Sequence, residues 1–269
     1  MRFHSGDADL DYEILGSGAP IVLLHPFPAH RGIWLPVAER LSTRYRCILP
    51  DLRGHGHSQT GSGAATMQKH ADDIEGLCRA CDVERAVFAG SSIGGYILFE
   101  FWRRYRHRVS ALVLCGTRAQ ADSAEGRAAR LASIDDVRKR GPGTFLDTQA
   151  ERLLGATTRH NRPDVAAAAR AMMSSMTVEG IAAVQQGMAE RADSLETLAR
   201  IDAPTLIIAG EEDAVIPAAD AQLMARQIPR SQLHMIPQAG HYLVFEKPVE
   251  AARLMGQFLD GAKLSVNSE

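Results

Sequence analysis

Short, continuously apolar runs alternate along the chain with longer segments whose apolar residues recur at helical spacing. Residues 21–24, 86–89 and 111–115 are apolar throughout, a pattern typical of strands that are covered on both faces. Residues 93–102, which follow the second of these runs, carry their apolar positions at helical spacing. This alternation of buried strands with helices predicts the α/β class, with a mostly parallel, doubly wound sheet.

The same alternation continues toward both ends of the chain. Further strands are predicted for residues 11–15, 46–50, 204–209 and 232–236. Further helices are predicted for residues 33–41, 66–81, 217–227 and 248–259. Thr66 stands at the start of one of these helices, where its hydroxyl can accept a hydrogen bond from a free backbone N–H. We therefore expect Thr66 to be an N-cap.

The pattern changes between residues 118 and 200. This stretch is rich in Ala, Arg and Met at helical spacing and has no convincing strand. A long helical insertion between two strands of a sheet is typical of a cap. We therefore predict an α/β core formed by residues 1–117 and 201–269 and a helical cap formed by residues 118–200. Three methionines of the cap are candidates for lining an adaptable apolar pocket, although their spacing also fits a buried core face: Met172, Met173 and Met176.

The bulk composition narrows the classes of function. The 269 residues are 45% hydrophobic and 23% charged, which suits one large soluble domain. A net charge of −2, with no domain-sized basic face, argues against nucleic-acid binding. No apolar stretch approaches the length of a membrane span, and the first residues are acidic where a secretory leader would be basic and then apolar. We expect a cytoplasmic protein without nucleic-acid or membrane partners, and the sequence leaves its oligomeric state open.

The sequence offers no complete motif for a metal or a cofactor. Cys78 and Cys81 form a Cys-x-x-Cys pair, but the segment is helical in pattern and lacks a second pair of ligands. His55 and His57 are spaced as in some metal sites, and no further ligand follows them. Neither a phosphate-binding Gly-x-x-x-x-Gly-Lys-Ser/Thr stretch nor a dinucleotide-binding Gly-x-Gly-x-x-Gly stretch is present. We therefore expect chemistry that needs neither metal nor cofactor.

Residues 90–95, Gly-Ser-Ser-Ile-Gly-Gly, join a predicted strand to a predicted helix. A turn this sharp imposes an unfavourable backbone on the turning residue and brings the chain close to itself, so small neighbours are required. It would hold the Ser92 hydroxyl out from the end of the sheet, beside the free N–H groups that open a helix. Ser92 is thus a candidate nucleophile, and an ordinary glycine-rich turn is the alternative.

Ligands of open α/β sheets bind outside the carboxyl ends of the strands. Reactive residue types at these predicted ends are His25, Asp51, Ser92, Thr117, Asp213 and His241. A serine hydroxyl needs a base to remove its proton, and a histidine serves best when a carboxylate fixes its tautomer. We therefore predict a Ser92, Asp213, His241 triad, with Glu212 as the second candidate for the acid.

Attack on a carbonyl also needs N–H donors for the developing oxyanion. Ile93, which follows the serine, supplies one. The loop after residues 21–24 would supply the other through Phe27, since Pro26 and Pro28 on either side have no N–H. The alternative is a rigid loop whose prolines only shape the backbone.

These motifs together resemble the α/β-hydrolase fold superfamily over nearly the whole chain, in particular small bacterial esterases and enol-lactone hydrolases. The matching stretches are the turn at Ser92, the loop at residues 25–28, residues 51–58, residues 210–213 and Gly240-His241. The resemblance implies that Ser92 is the nucleophile, Asp213 the acid and His241 the base, with Phe27 and Ile93 as the oxyanion donors. The chain departs from the usual pattern at Pro26, where the family has glycine.

The expected activity is that of a serine hydrolase that cleaves small carboxylic esters or lactones through an acyl-enzyme. Serine at the nucleophile position argues against the dehalogenase and epoxide-hydrolase branches, which need a carboxylate. A carbon–carbon bond hydrolase or a perhydrolase on the same triad remains an alternative. So does a ligand receptor of the same fold that barely turns its ligand over.

Overall fold

An eight-stranded sheet lies at the centre of the fold in a computed structural model, which describes residues 1–262. The strands are β1 (Arg2–Ser5), β2 (Ala8–Leu15), β3 (Ala19–Leu24), β4 (Tyr45–Pro50), β5 (Ala86–Ser91), β6 (Val109–Cys115), β7 (Thr205–Gly210) and β8 (Ser231–Ile236). Their order is β1-β2-β4-β3-β5-β6-β7-β8. The β1–β2 and β2–β4 pairs are antiparallel, and all the other pairs are parallel. The predicted mostly parallel α/β sheet is confirmed.

Twelve α-helices accompany the sheet in the described part of the chain. They are α1 (Leu35–Leu41), α2 (Met67–Ala80), α3 (Ile93–Tyr105), α4 (Ala124–Arg140), α5 (Gly143–Leu153), α6 (Ala156–Asn161), α7 (Pro163–Met173), α8 (Val178–Ala189), α9 (Leu195–Leu198), α10 (Ala218–Gln227), α11 (Leu243–Glu246) and α12 (Pro248–Gly261). Thr66 is the N-cap of α2, as expected, and its hydroxyl accepts a hydrogen bond from the Lys69 N–H at 3.2 Å. No helix within residues 1–262 is both long and apolar enough to cross a membrane.

Helices α4 to α9 occupy the stretch between β6 and β7 that the sequence assigned to a cap. Helix α8 lies against the loop that precedes α2. The Ala65 N–H donates to the carbonyl oxygen of Ala183 at 2.9 Å, and a Cβ placed on Gly187 would lie 1.8 Å from the carbonyl oxygen of Ala65. This close backbone approach holds α8 against the loop between β4 and α2.

A Gly187→Ala substitution should therefore loosen α8. No flexible side chain can yield to the added methyl group, since its nearest neighbours are backbone atoms. We expect the free energy of unfolding, measured in urea, to fall by about 1–3 kcal/mol, the usual cost of overpacking. Gly256→Ala is the matched control, because a Cβ on Gly256 in α12 meets nothing within 4 Å. That variant should gain about 0.5–1 kcal/mol, and equal stability of Gly187→Ala and wild type would contradict the contact.

Candidate active site

The turn between β5 and α3 places Ser92 in a strained conformation. Its φ of 53° and ψ of −112° lie in a region that residues with a side chain rarely adopt. A Cβ on Gly90 would lie 2.4 Å from the backbone of Gly94, and a Cβ on Gly94 would lie 2.6 Å from the carbonyl oxygen of Leu24. The glycines around the serine are therefore required by the close approach of three backbone segments.

Neighbouring strand ends hold this turn in place. The Ser92 N–H donates to the carbonyl oxygen of Cys115 at 2.9 Å, and the Thr117 hydroxyl donates to the carbonyl oxygen of Ser92 at 2.8 Å. A Cβ on Gly95 would meet the Thr117 side chain at 2.4 Å. Thr117, one of the candidates at the strand ends, therefore supports the serine turn from β6.

Asp213 and His241 form a buried pair beside the ends of β7 and β8. Nδ1 of His241 lies 2.8 Å from Oδ2 of Asp213, and both side chains are 1% exposed. Oδ1 of Asp213 accepts hydrogen bonds from the N–H groups of Val215 and Ile216 at 2.8 and 2.9 Å. Burial by itself would raise the pKa of Asp213, but the adjacent His241 and these N–H donors outweigh burial and lower the pKa below its ordinary value. The ionised carboxylate makes Nδ1 the protonated ring nitrogen and leaves Nε2 free to accept a proton.

Ser92 and His241 line the same cavity of about 370 Å³, which lies between the strand ends and the helices of residues 118–200. Phe27 also lines it, as does Met188 of α8. Within residues 1–262 the Ser92 hydroxyl makes no hydrogen bond to the imidazole. Such catalytic contacts often tighten only in the transition-state complex. The structure therefore brings all three predicted triad residues to one edge of the sheet.

The loop after β3 carries Phe27 to the cavity. The His25 ring holds this loop, because one nitrogen lies 3.0 Å from the carbonyl oxygen of Pro26 and the other accepts the Leu52 N–H at 2.9 Å. Burial lowers the pKa of His25 to about 3, so the ring is neutral and bridges the two loops. In the described part of the chain, the backbone N–H groups of Phe27 and Ile93 have no acceptor. Both are free to bind an oxygen atom of a substrate.

Another candidate at the strand ends, Asp51, has a structural role. Its carboxylate accepts the backbone N–H of Arg31 and that of His57, each at 2.9 Å, and pairs with the Arg31 guanidinium at 2.8 Å. These contacts join the loops that follow β3 and β4. The Asp51 carboxylate is thus engaged by two backbone N–H groups and the Arg31 guanidinium, and Asp51 does not line the cavity.

Two glutamates connect the predicted cap to the loops of the Asp–His pair. Glu212, the second candidate for the acid, accepts the N–H of Thr157 at 2.8 Å at the start of α6, so it does not contact the histidine. Glu246 is fully buried and accepts the N–H groups of Gly155 and Gly240 at 2.9 and 3.0 Å. Glu246 could not be predicted from the sequence, since a glutamate in a short helix carries no local signal of burial.

The three methionines proposed for the pocket do not line the cavity. Met173 and Met176 are buried in the hydrophobic core, and Met172 packs against that core. The methionine that does line the cavity is Met188. Their spacing allowed either a pocket wall or a buried core face. The core face is the one observed for Met172, Met173 and Met176.

The other ligand-type residues of the sequence are separate from this cavity. In the part of the chain that the structure describes, no group of three or more His, Cys, Asp or Glu side chains is placed to hold a metal ion. Cys78 and Cys81 are buried free thiols, and burial raises the pKa of Cys78 to about 12. His55 is buried and burial lowers its pKa to about 3, whereas His57 is exposed.

Known proteins share this architecture. A family model described as alpha/beta hydrolase fold matches residues 19–248. The chain is 29% identical over 258 residues to the pimeloyl-(acyl-carrier protein) methyl ester esterase of Chromobacterium violaceum, a match covering 94% of this chain and 98% of that protein.

Two solved structures agree closely with the fold. A thermophilic esterase from Thermogutta terrifontis, solved with malate bound, has a TM-score of 0.94 and 39% identity, and the match covers 97% of this chain and 99% of that one. The enol-lactonase from Burkholderia xenovorans LB400 has a TM-score of 0.90 and 26% identity over 97% of this chain and 100% of that one. With a family model that spans most of its length, the chain belongs to the alpha/beta hydrolase fold family.

Proposed function

We propose that the protein is a carboxylic ester hydrolase that cleaves small esters or lactones with a Ser92–His241–Asp213 triad. The observation that carries this proposal is the buried Asp213–His241 pair, whose histidine lines the same cavity as a strained serine at the start of a helix. The names of the relatives support the same reaction class, since they include esterases and an enol-lactonase. We also propose that residues 118–200 act as a cap that shapes the substrate cavity.

In the proposed reaction, Nε2 of His241 takes the hydroxyl proton as Oγ of Ser92 attacks the carbonyl carbon. The carbonyl oxygen becomes an oxyanion, which the free N–H groups of Phe27 and Ile93 stabilise. Asp213 stabilises the imidazolium, which then returns the proton to the departing alkoxide and leaves an acyl-serine. Water, deprotonated by the same imidazole, attacks the acyl group and releases the carboxylic acid and the serine.

A fluorophosphonate probe tests whether Ser92 is an activated nucleophile. Attack by the serine oxygen on phosphorus would expel fluoride, so we expect one phosphonyl group per chain, located on Ser92 by peptide mass spectrometry. The Ser92→Ala variant should not be labelled, and the Ser91→Ala variant should be labelled at the wild-type rate. Absence of labelling in the wild type would overturn the enzyme assignment, and tight binding of a small ester by the unlabelled protein would identify a receptor.

A further inference from the structure

One wall of the cavity contains a carboxylate shared by three arginines. The Asp122 side chain, 3% exposed, lies 2.9 Å from Arg118, 2.5 Å from Arg130 and 2.9 Å from Arg191. Burial by itself would raise the pKa of Asp122, but the adjacent Arg130 and Arg191 lower it below its ordinary value. A single ionised carboxylate therefore faces three guanidinium groups.

The lining of the cavity is positively charged as a result. Among residues 1–262, this lining includes Arg118 and Arg130 from the cluster and Arg152 from α5, and its only acidic residue is Asp122. The lining thus has two more positive than negative charges. Directly behind it lie Arg191 and the ionised Asp213, whose charges offset each other. The Arg118 and Arg130 side chains are 28% and 21% exposed and Arg152 is exposed, so water screens this excess positive charge only in part, and the cavity attracts a counter-charge. An anionic ligand would supply that counter-charge.

One arginine donor of the cavity is unpaired, and the guanidinium of a second arginine is fixed in direction. Nε of Arg118 is buried and has no acceptor within residues 1–262. Nη1 of Arg130 donates to Oε1 of Gln185 at 2.8 Å, and Nε2 of Gln185 donates to the Ser133 hydroxyl at 3.2 Å. The Gln185 contact and the Asp122 contact hold the Arg130 guanidinium in one orientation. A planar, pre-oriented guanidinium matches the geometry of a carboxylate and loses little entropy on binding it.

We propose that the cavity selects esters or lactones that carry a second, anionic group, a carboxylate. Arg118, Arg130 and Arg152 bind this carboxylate while the scissile carbonyl lies at Ser92. The inference rests on the proposed function and specifies its substrate class. It also accounts for a cavity whose walls are more polar than a pocket for neutral acyl chains requires.

Two aryl esters of equal chain length test the proposal. The probe is the 4-nitrophenyl monoester of glutarate, which ends in a carboxylate, and the reference is 4-nitrophenyl valerate, which ends in a methyl group. After subtraction of the uncatalysed rates, we expect kcat/KM of the wild type to be at least about tenfold higher for the glutarate ester, the effect of one charge-assisted contact. The preference should shrink as salt is added, since screening weakens exposed charges most.

Arginine variants locate the preference. Arg130→Gln should reduce the glutarate-to-valerate ratio of kcat/KM by about tenfold, and Arg130→Lys should restore part of it because the charge is kept. Arg127→Gln is the matched control, since Arg127 is an exposed residue of the same helix outside the cavity, and it should keep the wild-type ratio. A wild type that prefers valerate, or an unchanged ratio in Arg130→Gln, would overturn the inference while leaving the proposed hydrolysis in place.

A binding measurement separates this inference from the proposed function. Calorimetric titration of glutarate into Ser92→Ala should show binding that Arg130→Gln, introduced into the same variant, weakens about tenfold. Glutarate binding together with hydrolysis of neither ester would support the anion site and overturn the hydrolase proposal. Absence of glutarate binding would overturn the anion site.

Discussion

Replacement of Ser92 by alanine is expected to lower kcat for 4-nitrophenyl acetate by about 10⁶-fold, the loss seen when a serine nucleophile of a triad is removed. The reason is that the strained turn carries this hydroxyl at a helix N-terminus, in the cavity that His241 also lines. Alanine keeps the Cβ atom, so the strained backbone at φ 53° should cost the variant about as much as the wild type. Steady-state kinetics, with the unfolding curve of the variant in urea, would check the result.

The adjacent serine provides a matched control for this substitution. Ser91 is fully buried, and its hydroxyl has no hydrogen-bond partner within the described residues. Ser91→Ala therefore removes the same atom one position earlier, and we expect wild-type kcat with equal or slightly higher stability. If Ser92→Ala kept more than a tenth of the wild-type rate while Ser91→Ala lost it, the assignment of the nucleophile would be wrong.

The central part of the fold could be predicted from local pattern because strands buried on both faces appear in the sequence as continuous apolar runs. Strands β3 and β5 are enclosed by neighbours on both sides, and their apolar runs are continuous. Strand β1 was missed because it lies at the sheet edge and its four residues alternate between exposed and half-buried positions. A strand of that kind has no apolar run to identify it.

The candidate site, like the fold, could be predicted from the sequence only in part. Ser92 could be identified because its glycine neighbours are a local requirement of the turn. The choice between Asp213 and Glu212 depended on a contact distant in sequence, since Glu212 is engaged by Thr157, 55 residues away. The arginines of the cavity were not identified at all. Arg130 and the exposed Arg127 belong to one helix, and only the packing of α4 against α8 distinguishes them.

Replacement of Asp213 by asparagine should produce the second large loss, a fall in kcat of about 10⁴-fold. An amide cannot stabilise the imidazolium, and its N–H₂ group favours the wrong tautomer of His241. Glu212→Gln is the matched control on the same loop, since an amide oxygen can still accept the Thr157 N–H, and we expect less than about a tenfold change from it. A large loss in Glu212→Gln with little loss in Asp213→Asn would transfer the acid role to Glu212.

The difference in stability between the wild type and Asp213→Asn should also depend on pH. The pKa of Asp213 in the folded chain lies below its ordinary value of 3.8, so at pH values between the two the unfolded chain binds more protons. The contribution of this carboxylate to folding is therefore complete above the ordinary value and is lost as the pH falls through the folded pKa. Asp213→Asn lacks that contribution at every pH. The contribution of Asp213 to the difference in unfolding free energy between wild type and Asp213→Asn should thus stay constant from pH 6 down to about the ordinary value of 3.8 and narrow below it. A difference that widened on acidification below that value would contradict an ionised Asp213 paired with His241.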